Sequence, residues 1–474
     1  MKLKALLRGL KGIEVKGSKE ISITGLTADS RTAAPGNLFI ARKGSAYNGA
    51  EFIPKALEAG AIAIVTDFYD PFCKATQVLV ERPETLEPLL ASRFYGAPSK
   101  ELFVVGVTGT KGKTTTTYLI HHLLNGLKIK TGLVGTVETI LGEERRPSSL
   151  TTHSAIENQR LLKEMATKGC KAVSFEVSSH GLEQNRVEEI SFDVGLFTNL
   201  YSDHLDYHPT MEAYASAKRK LFANVKKAIF NADDPWTPYM QEGCKSPIWT
   251  FGIEKDATFR AMNVQFDESG TTFFVEKQRF SLPLMGRFNV YNALGAIAIG
   301  RHMGADLVQI AHILSSFQTA PGRLEQVMND RNIWVFVDFA HTGEALENVL
   351  VTLREIARKR VICVFGSGGN RDPQRRTQMG KAAEKYADVG IITSDNPRNE
   401  DPLSICQQIR NAYQDPSKPI LEIDRQAAIS LAIGMAEAED IVLIAGKGHE
   451  KVQKFAHQTI PFDDVAVAKE ALQK

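Results

Sequence analysis

Gly106-Val-Thr-Gly-Thr-Lys-Gly-Lys-Thr-Thr115 is the stretch that decides the fold. It follows an apolar run, Leu102 to Val107, that holds three valines. It precedes Leu119, Ile120, Leu123, Leu124 and Leu127, which recur at helical spacing. A buried strand, a glycine-rich turn and a helix in that order make a phosphate loop. The glycines let backbone N–H groups turn inward around phosphate oxygens, and Lys113 reaches the β and γ phosphates. The Thr114 hydroxyl stands at the positive end of the helix, where it can ligate Mg2+. Gly109, Thr110, Lys111, Gly112, Lys113, Thr114 and Thr115 are therefore expected ATP contacts. Val107 occupies a position that the strict pattern gives to glycine, so the loop is a variant.

Working outward, the apolar runs Ala172 to Val177, Val194 to Leu200 and Ala228 to Asn231 alternate with helical stretches. That is the pattern of a parallel sheet covered by helices. Ligands of such sheets bind at the carboxyl ends of the strands. Glu176 stands at such an end and is expected to hold the Mg2+ that accompanies the phosphates. Ser178, Gln184 and Arg186 follow it as donors for an anionic substrate. The next strand end carries Asp203, His204, Asp206 and His208 within six positions, a density that suggests a metal or phosphate site. A helix over Met211 to Val225 carries Lys218, Arg219 and Lys220, which on charge alone read as a solvated basic face.

On the C-terminal side, five short apolar runs recur: Ile333 to Val337, Val361 to Phe365, Val389 to Thr393, Ile420 to Ile423 and Ile441 to Ala445. Helical patterns separate them, including Gly343 to Lys359 with Thr342 as its cap, so a second, doubly wound Rossmann-like domain is expected. Three of its strand ends carry Gly366-Ser-Gly-Gly-Asn-Arg-Asp372, Ser394-Asp-Asn-Pro-Arg398 and Gly446-Lys-Gly-His-Glu450. These should converge at one edge. There Arg371 and Arg398 would meet carboxylates, and Asp395 and Glu450 an ammonium group, around one zwitterionic amino acid. The N-terminal 100 residues lack a phosphate-binding signature and end in a linker-like Gly96-Ala-Pro-Ser99. The expected organisation is three α/β domains: residues 1–100, a central ATP-binding domain over 101–322, and a Rossmann-like amino-acid domain over 323–474.

The 474 residues are 43% hydrophobic and 24% charged, which excludes a disordered or fibrous chain. Lysine plus arginine exceeds aspartate plus glutamate by only 57 to 55, so no general attraction for nucleic acid or anionic lipid is expected. The five cysteines are scattered and form no paired motif, which fits a reducing compartment. No run reaches the roughly 20 apolar residues of a membrane span. Arg8 interrupts the short apolar stretch of the basic N-terminus, so a cytoplasmic protein is expected.

Gly109-Thr-Lys-Gly-Lys-Thr-Thr115, Glu176-Val-Ser-Ser-His180, Thr198-Asn-Leu200 with Asp203-His204-Leu-Asp206, Asn289-Val-Tyr-Asn292, Ala320-Pro-Gly-Arg323 and Asp338-Phe-Ala-His-Thr342 together resemble the Mur ligases, in the same order. The resemblance covers essentially the whole chain. It implies an ADP-forming ligase of peptidoglycan precursor synthesis. Thr151-Thr152, the run from Ser178 to Arg186, and Asp395-Asn-Pro-Arg398 are similar to the members that extend UDP-N-acetylmuramoyl-L-alanyl-D-glutamate with meso-diaminopimelate. A second carboxylate on that amino acid suits two arginines, and a site built for it rejects lysine.

What the resemblance implies about residues is as follows. Thr114 and Glu176 would hold one Mg2+, and His204 with a carbamylated Lys218 a second; Lys113, Glu176, His204 and Lys218 form the catalytic set. Asn292, Arg323 and Asp338 belong to ATP. Ser30 takes the UDP end, and Thr151, Thr152, Ser178, Gln184 and Arg186 the rest of the nucleotide precursor. Arg371, Asp395, Asn396, Pro397, Arg398, Gly446 and Glu450 take diaminopimelate. The implied protein is a monomer acting on small molecules. Phe339, Gly343 and His153 depart from the common pattern. The competing readings are an L-lysine-adding homologue, a folylpolyglutamate synthetase-like ligase, and a phosphate-loop ATPase that binds an amino acid only as effector.

Overall fold

A computed structural model describes residues 1–43, 48–205, 207–267 and 270–473. They fall into two compact units, Met1–Arg260 with Tyr291–Asp306, and Ala261–Val290 with Leu307–Lys474.

The first unit holds two sheets. The smaller consists of β1 (Glu14–Lys16), β2 (Gly25–Thr27), β3 (Asn37–Ile40), β4 (Ala63–Thr66) and β5 (Thr76–Leu79), in the order β1-β5-β4-β3-β2. Only β1 runs antiparallel to its neighbour. Leu38, Ile40, Val65 and Val78 fill one face with Leu3, Leu6 and Leu90. The expected linker at Gly96–Ser99 is instead a packed connection. Gly96 ends the helix Glu87–Tyr95, Pro98–Lys100 form one 3₁₀ turn, and buried Ser99 accepts a hydrogen bond from the Ser191 backbone N at 3.1 Å.

The larger sheet is built from β6 (Phe103–Thr108), β7 (Thr131–Val134), β8 (Glu138–Leu141), β9 (Glu144–Pro147), β10 (Ala172–Glu176), β11 (Val194–Phe197), β12 (Lys227–Asn231) and β13 (Ile248–Gly252). Their order is β13-β12-β11-β6-β10-β7-β8-β9. From β13 to β7 all pairs are parallel, so both faces are covered and the strands read as unbroken apolar runs. Val104, Val105 and Val107 of β6 have no exposed surface. Because β6 lies between β10 and β11, the loops after these three strands abut at one edge. The helix expected to reach Val225 runs as α-helix only from Met211 to Arg219 and tightens to 3₁₀ over Lys220–Ala223, a common way to end a helix.

The second unit begins with an antiparallel set formed by the distal part of β14 (Phe259–Asp267), β15 (Gly270–Val275) and β16 (Gln278–Leu282). Its main sheet contains β17 (Glu325–Val327), β18 (Trp334–Asp338), β19 (Val361–Phe365), β20 (Val389–Ile392), β21 (Ile420–Leu421) and β22 (Ile441–Ala445), in the order β17-β18-β22-β19-β20-β21. A hairpin of β23 (Val452–Lys454) and β24 (Thr459–Pro461) follows. All main-sheet pairs except β17–β18 are parallel. Helices Gly343–Ile356, Gln374–Tyr386 and Pro402–Arg410 pack on one face, and Arg425–Met435 with Asp464–Leu472 on the other. This is the expected doubly wound sheet, and Thr342 caps its first helix by accepting from Ala345 N. The five cysteines are free thiols, and no helix among the described residues is long and apolar enough to cross a membrane.

One half-buried histidine makes stability depend on pH. Burial holds the His121 imidazole down at about 4, with Arg145 and His122 adding to the effect. The unfolded chain, with an ordinary value near 6.5, therefore binds the proton more readily than the folded one. The stabilisation is present above about pH 6.5 and is lost as pH falls towards 4. A His121→Leu protein should lose up to about 1.4 kcal/mol per pH unit from the slope of unfolding free energy in that window. An unchanged slope in urea titrations at pH 6 and pH 4.5 would contradict this.

Candidate active site

The phosphate loop leaves β6 at Thr108 and enters the helix Lys113–Gly126. Lys113 Nζ donates to the carbonyls of Gly109 (3.0 Å) and Thr110 (2.9 Å). Lys218 Nζ donates to the same Gly109 carbonyl at 2.8 Å, over the ring of Tyr214. Only 1% of Lys218 is exposed, which overturns the reading of it as part of a solvated face; Arg219 and Lys220 beside it do pair at the surface, with Glu242 and Glu183. Burial pushes the Lys218 amine well below the ordinary lysine range. Lys113 reinforces this, and Asp203 only partly opposes it. Burial thereby favours the uncharged, nucleophilic form of the amine.

Glu176, at the end of β10, is fully buried but well supplied with donors. Its Oε2 accepts from Thr114 Oγ1 (3.2 Å) and Thr136 Oγ1 (2.9 Å), and its Oε1 from Thr136 N (3.0 Å). On the other side of β6, Asn199 Oδ1 accepts from Lys111 N at 2.8 Å, and Asp203 pairs with Lys111 Nζ at 3.3 Å. Burial pushes the Asp203 carboxyl up, but Lys111 and His204 outweigh it and hold it at about 2. His204 has a left-handed backbone, φ 57°, and its ring lies 5.0 Å from that of His180. Partial desolvation of the ring, opposed by Asp203, lowers its imidazole to about 4. Among the described residues no three His, Cys, Asp or Glu gather into a ready-made metal cage. Asp206 lies outside the described residues. Asn292 Oδ1 accepts from Thr116 Oγ1 at 3.2 Å, which sets Asn292 against the loop helix.

Five of the six precursor candidates are joined to Glu176. Thr152 Oγ1 donates to the Glu176 carbonyl (2.9 Å) and accepts from Ser178 N (3.0 Å). Arg186 donates to the Thr152 carbonyl and to Gln184 Oε1, whose amide in turn meets Tyr207. The Thr151 and Thr136 hydroxyls lie 3.0 Å apart. Ser30 is apart from this network, in the 3₁₀ turn Ser30–Thr32 that Asp29 caps beside the smaller sheet.

In the second unit, Asp338 Oδ2 accepts from Leu324 N at 2.7 Å, and Arg323 lies over the Phe339 ring. The three strand-end loops do converge, because β22, β19 and β20 are neighbours. Both arginines approach Gly368, where an added Cβ would sit 2.9 Å from Arg398 Nη1 and 3.9 Å from Arg371 Cγ. Arg398 Nη1 donates to the Gly369 carbonyl at 2.7 Å, and Gly369 N donates to the Asn396 carbonyl. Asp395 is only 5% exposed and close to Gly446; burial raises its carboxyl, opposed by Arg425 and Lys447. Asn396 Nδ2 donates to Glu450 Oε2 at 2.7 Å.

Three participants had no place among the sequence candidates: Thr136, Tyr214 and Lys447. Thr136 follows β7, whose Thr131-Gly-Leu-Val134 is too short and glycine-broken to stand out as a strand. Lys447 lies inside the quoted Gly446–Glu450 run, yet a lysine in a loop reads as solvated until its burial is known.

Comparison with known proteins matches the chain along its length. Residues 107–300 match the Mur ligase middle domain, 322–448 the Mur ligase glutamate ligase domain, and 22–88 the Mur ligase family catalytic domain. A UDP-N-acetylmuramoyl-L-alanyl-D-glutamate–2,6-diaminopimelate ligase from Caldanaerobacter subterraneus subsp. tengcongensis is 41% identical over 479 residues, covering 100% of this chain and 99% of that protein. The chain is a Mur ligase. A similarly named ligase from Geobacillus thermodenitrificans shares 40% identity with this Mur ligase over the full length of both chains. A solved 2,6-diaminopimelate ligase structure superposes on it with a TM-score of 0.72 at 30% identity, covering 100% of this chain and 99% of that one. As a Mur ligase it is an enzyme that forms an amide bond.

Proposed function

We propose that this Mur ligase joins meso-diaminopimelate to UDP-N-acetylmuramoyl-L-alanyl-D-glutamate at the expense of ATP. The observation that carries the chemistry is the gathering of Lys113, Thr114, Glu176 and Lys218 on one phosphate loop. The D-glutamate γ-carboxylate takes the γ phosphoryl group of ATP, giving an acyl phosphate and ADP. The amine then attacks the acyl carbon, the C–O bond to phosphate breaks, and the amine's surplus proton is released. Lys113 is placed to swing from the loop carbonyls to the phosphates, and the loop N–H groups hold the transferred group in line. Asn292, Arg323 and Asp338 are assigned to ATP.

The residues fit Mg2+. A buried carboxylate beside a hydroxyl at the loop helix, Glu176 with Thr114, is a hard oxygen donor pair. Bound there, the ion would neutralise phosphate charge. His204 and a carbamylated Lys218 are assigned to a second ion. An uncharged buried amine adds to CO2 with loss of a proton, and the resulting carbamate replaces a cation with an anionic oxygen donor. Thr151, Thr152, Ser178, Gln184 and Arg186 are assigned to the precursor, with Ser30 at its UDP end. The enzyme is proposed to work as a cytoplasmic monomer, its precursor, ATP and amino-acid domains divided after residues 100 and 322.

Arg371, Asp395 to Arg398, Gly446 and Glu450 are assigned to diaminopimelate, and the two arginines at Gly368 are the support for that choice over lysine. ADP release with the precursor and either amino acid, with the product checked by mass, tests it. Amide should form with diaminopimelate and not with lysine. Arg398→Ala should lower kcat/KM for diaminopimelate by about 100-fold or more and narrow the gap to lysine. Full discrimination in that variant, or product from lysine alone, would overturn the assignment.

A further inference from the structure

Chemistry fixes which way the Asn396 amide points. One of its terminal atoms lies 3.0 Å from Lys447 Nζ and 3.0 Å from the Lys454 backbone N. Both neighbours can only donate, so that atom is oxygen. The other lies 2.7 Å from Glu450 Oε2, an acceptor, so it is nitrogen. Oδ1 is thereby occupied by two donors, and what the side chain still offers a ligand is its second N–H. Glu450 Oε2 holds both Asn396 and Lys447, the latter at 3.2 Å. Among the described residues Glu450 Oε1 carries no hydrogen bond.

Lys447 has no exposed side-chain surface; its ammonium donates to these two neighbours, and its charge also reaches Asp395. We propose that Lys447 is a positioning residue that sets the polarity of the amino-acid site. It makes Asn396 a donor only, matched to the carboxylate of the incoming amino acid beside Arg398, and it leaves Glu450 Oε1 to receive the ammonium. Without Lys447, Oδ1 would keep the Lys454 N–H alone, and Asn396 would be able to turn its oxygen towards the ligand. Glu450 would also lose the buried cation that favours its ionised form. The inference rests on the reading of this loop cluster as the amino-acid site.

Steady-state KM values for diaminopimelate, ATP and the precursor test it, in wild type, Lys447→Met, Lys447→Gln, Glu450→Gln and the Lys447→Met/Glu450→Gln double variant. Lys447→Met should raise KM for diaminopimelate about tenfold or more and leave the other two within about twofold. Lys447→Gln, which restores a donor to Asn396, should be impaired less. The double variant should fall clearly short of the product of the two single effects, because part of what the lysine does passes through that carboxylate and part through Asn396 directly. A parallel rise in all three KM values, equal damage from Met and Gln, or multiplied effects in the double variant would overturn the role. Should Lys447→Met fail to fold, an unaltered diaminopimelate KM in Lys447→Gln overturns it equally. Wild-type enzyme that made no amide with diaminopimelate or lysine would overturn the site reading itself, and the proposal with it.

Discussion

Gly109→Ala is expected to lower kcat by about 10²–10³-fold without unfolding the protein. Gly109 has φ 150°, where side chains are strained. An added Cβ would overlap the Thr198 hydroxyl and approach Asn199 O to 3.0 Å. Thr198 cannot yield freely, since its hydroxyl holds the Lys111 carbonyl at 2.7 Å. The loop must therefore move, and the Gly109 carbonyl that carries both Lys113 and Lys218 moves with it. Backbone strain of this kind costs about 1–3 kcal/mol, too little to melt the unit, whereas a displacement near 1 Å is severe for phosphoryl transfer. Adding Thr198→Ala should relieve the overlap but not the φ strain, and recover only part of the rate. ADP release at saturating substrates, with a thermal melt beside it, is the measurement. A kcat within tenfold of wild type would contradict the argument.

Asp464→Asn is expected to destabilise the second unit by about 3–5 kcal/mol. Arg425 and Asp464 have no exposed side-chain surface and pair through two hydrogen bonds, 2.8 and 2.7 Å. Arg425 Nη2 also donates to the Ala445 carbonyl at the end of β22. An amide in place of the carboxylate leaves the guanidinium buried without its counter-charge, next to an Asp395 carboxyl that burial has pushed towards its neutral form. Arg425→Met with Asp464→Leu should cost clearly less than Asp464→Asn, since no orphan charge remains. Denaturant midpoints of the three proteins decide the point. Because Arg425 underlies Ala445 and Gly446, the single variant should also weaken amino-acid binding before it unfolds.

Much of the fold was legible in the chain because its signals are local. Valine runs, a glycine-rich turn and a helical stripe lie within residues 102–127, and each is a property of neighbours in sequence. The five apolar runs of the C-terminal sheet read correctly for the same reason, and Thr342 as a cap. Glu176 was legible because a carboxylate that ends an apolar strand has few other uses. Short strands such as β7 and the antiparallel β15 and β16 were not, since four to six residues with glycine or alternating polarity resemble turns.

The sequence by itself determined the class of sheet, the phosphate loop and the cast of charged residues at strand ends. Tertiary structure alone decided which of them meet. Local pattern carries no record of strand order, and only the placement of β6 between β10 and β11 brings Thr114 to Glu176 and Lys111 to Asp203. Burial is likewise a property of the packed whole. Two lysines that look solvated in the chain, Lys218 and Lys447, lie inside the protein, one beside the phosphate loop and one beneath the proposed amino-acid site. Removed from water, an ammonium group must find an acceptor or give up its proton, and that physical choice makes both of them functional candidates.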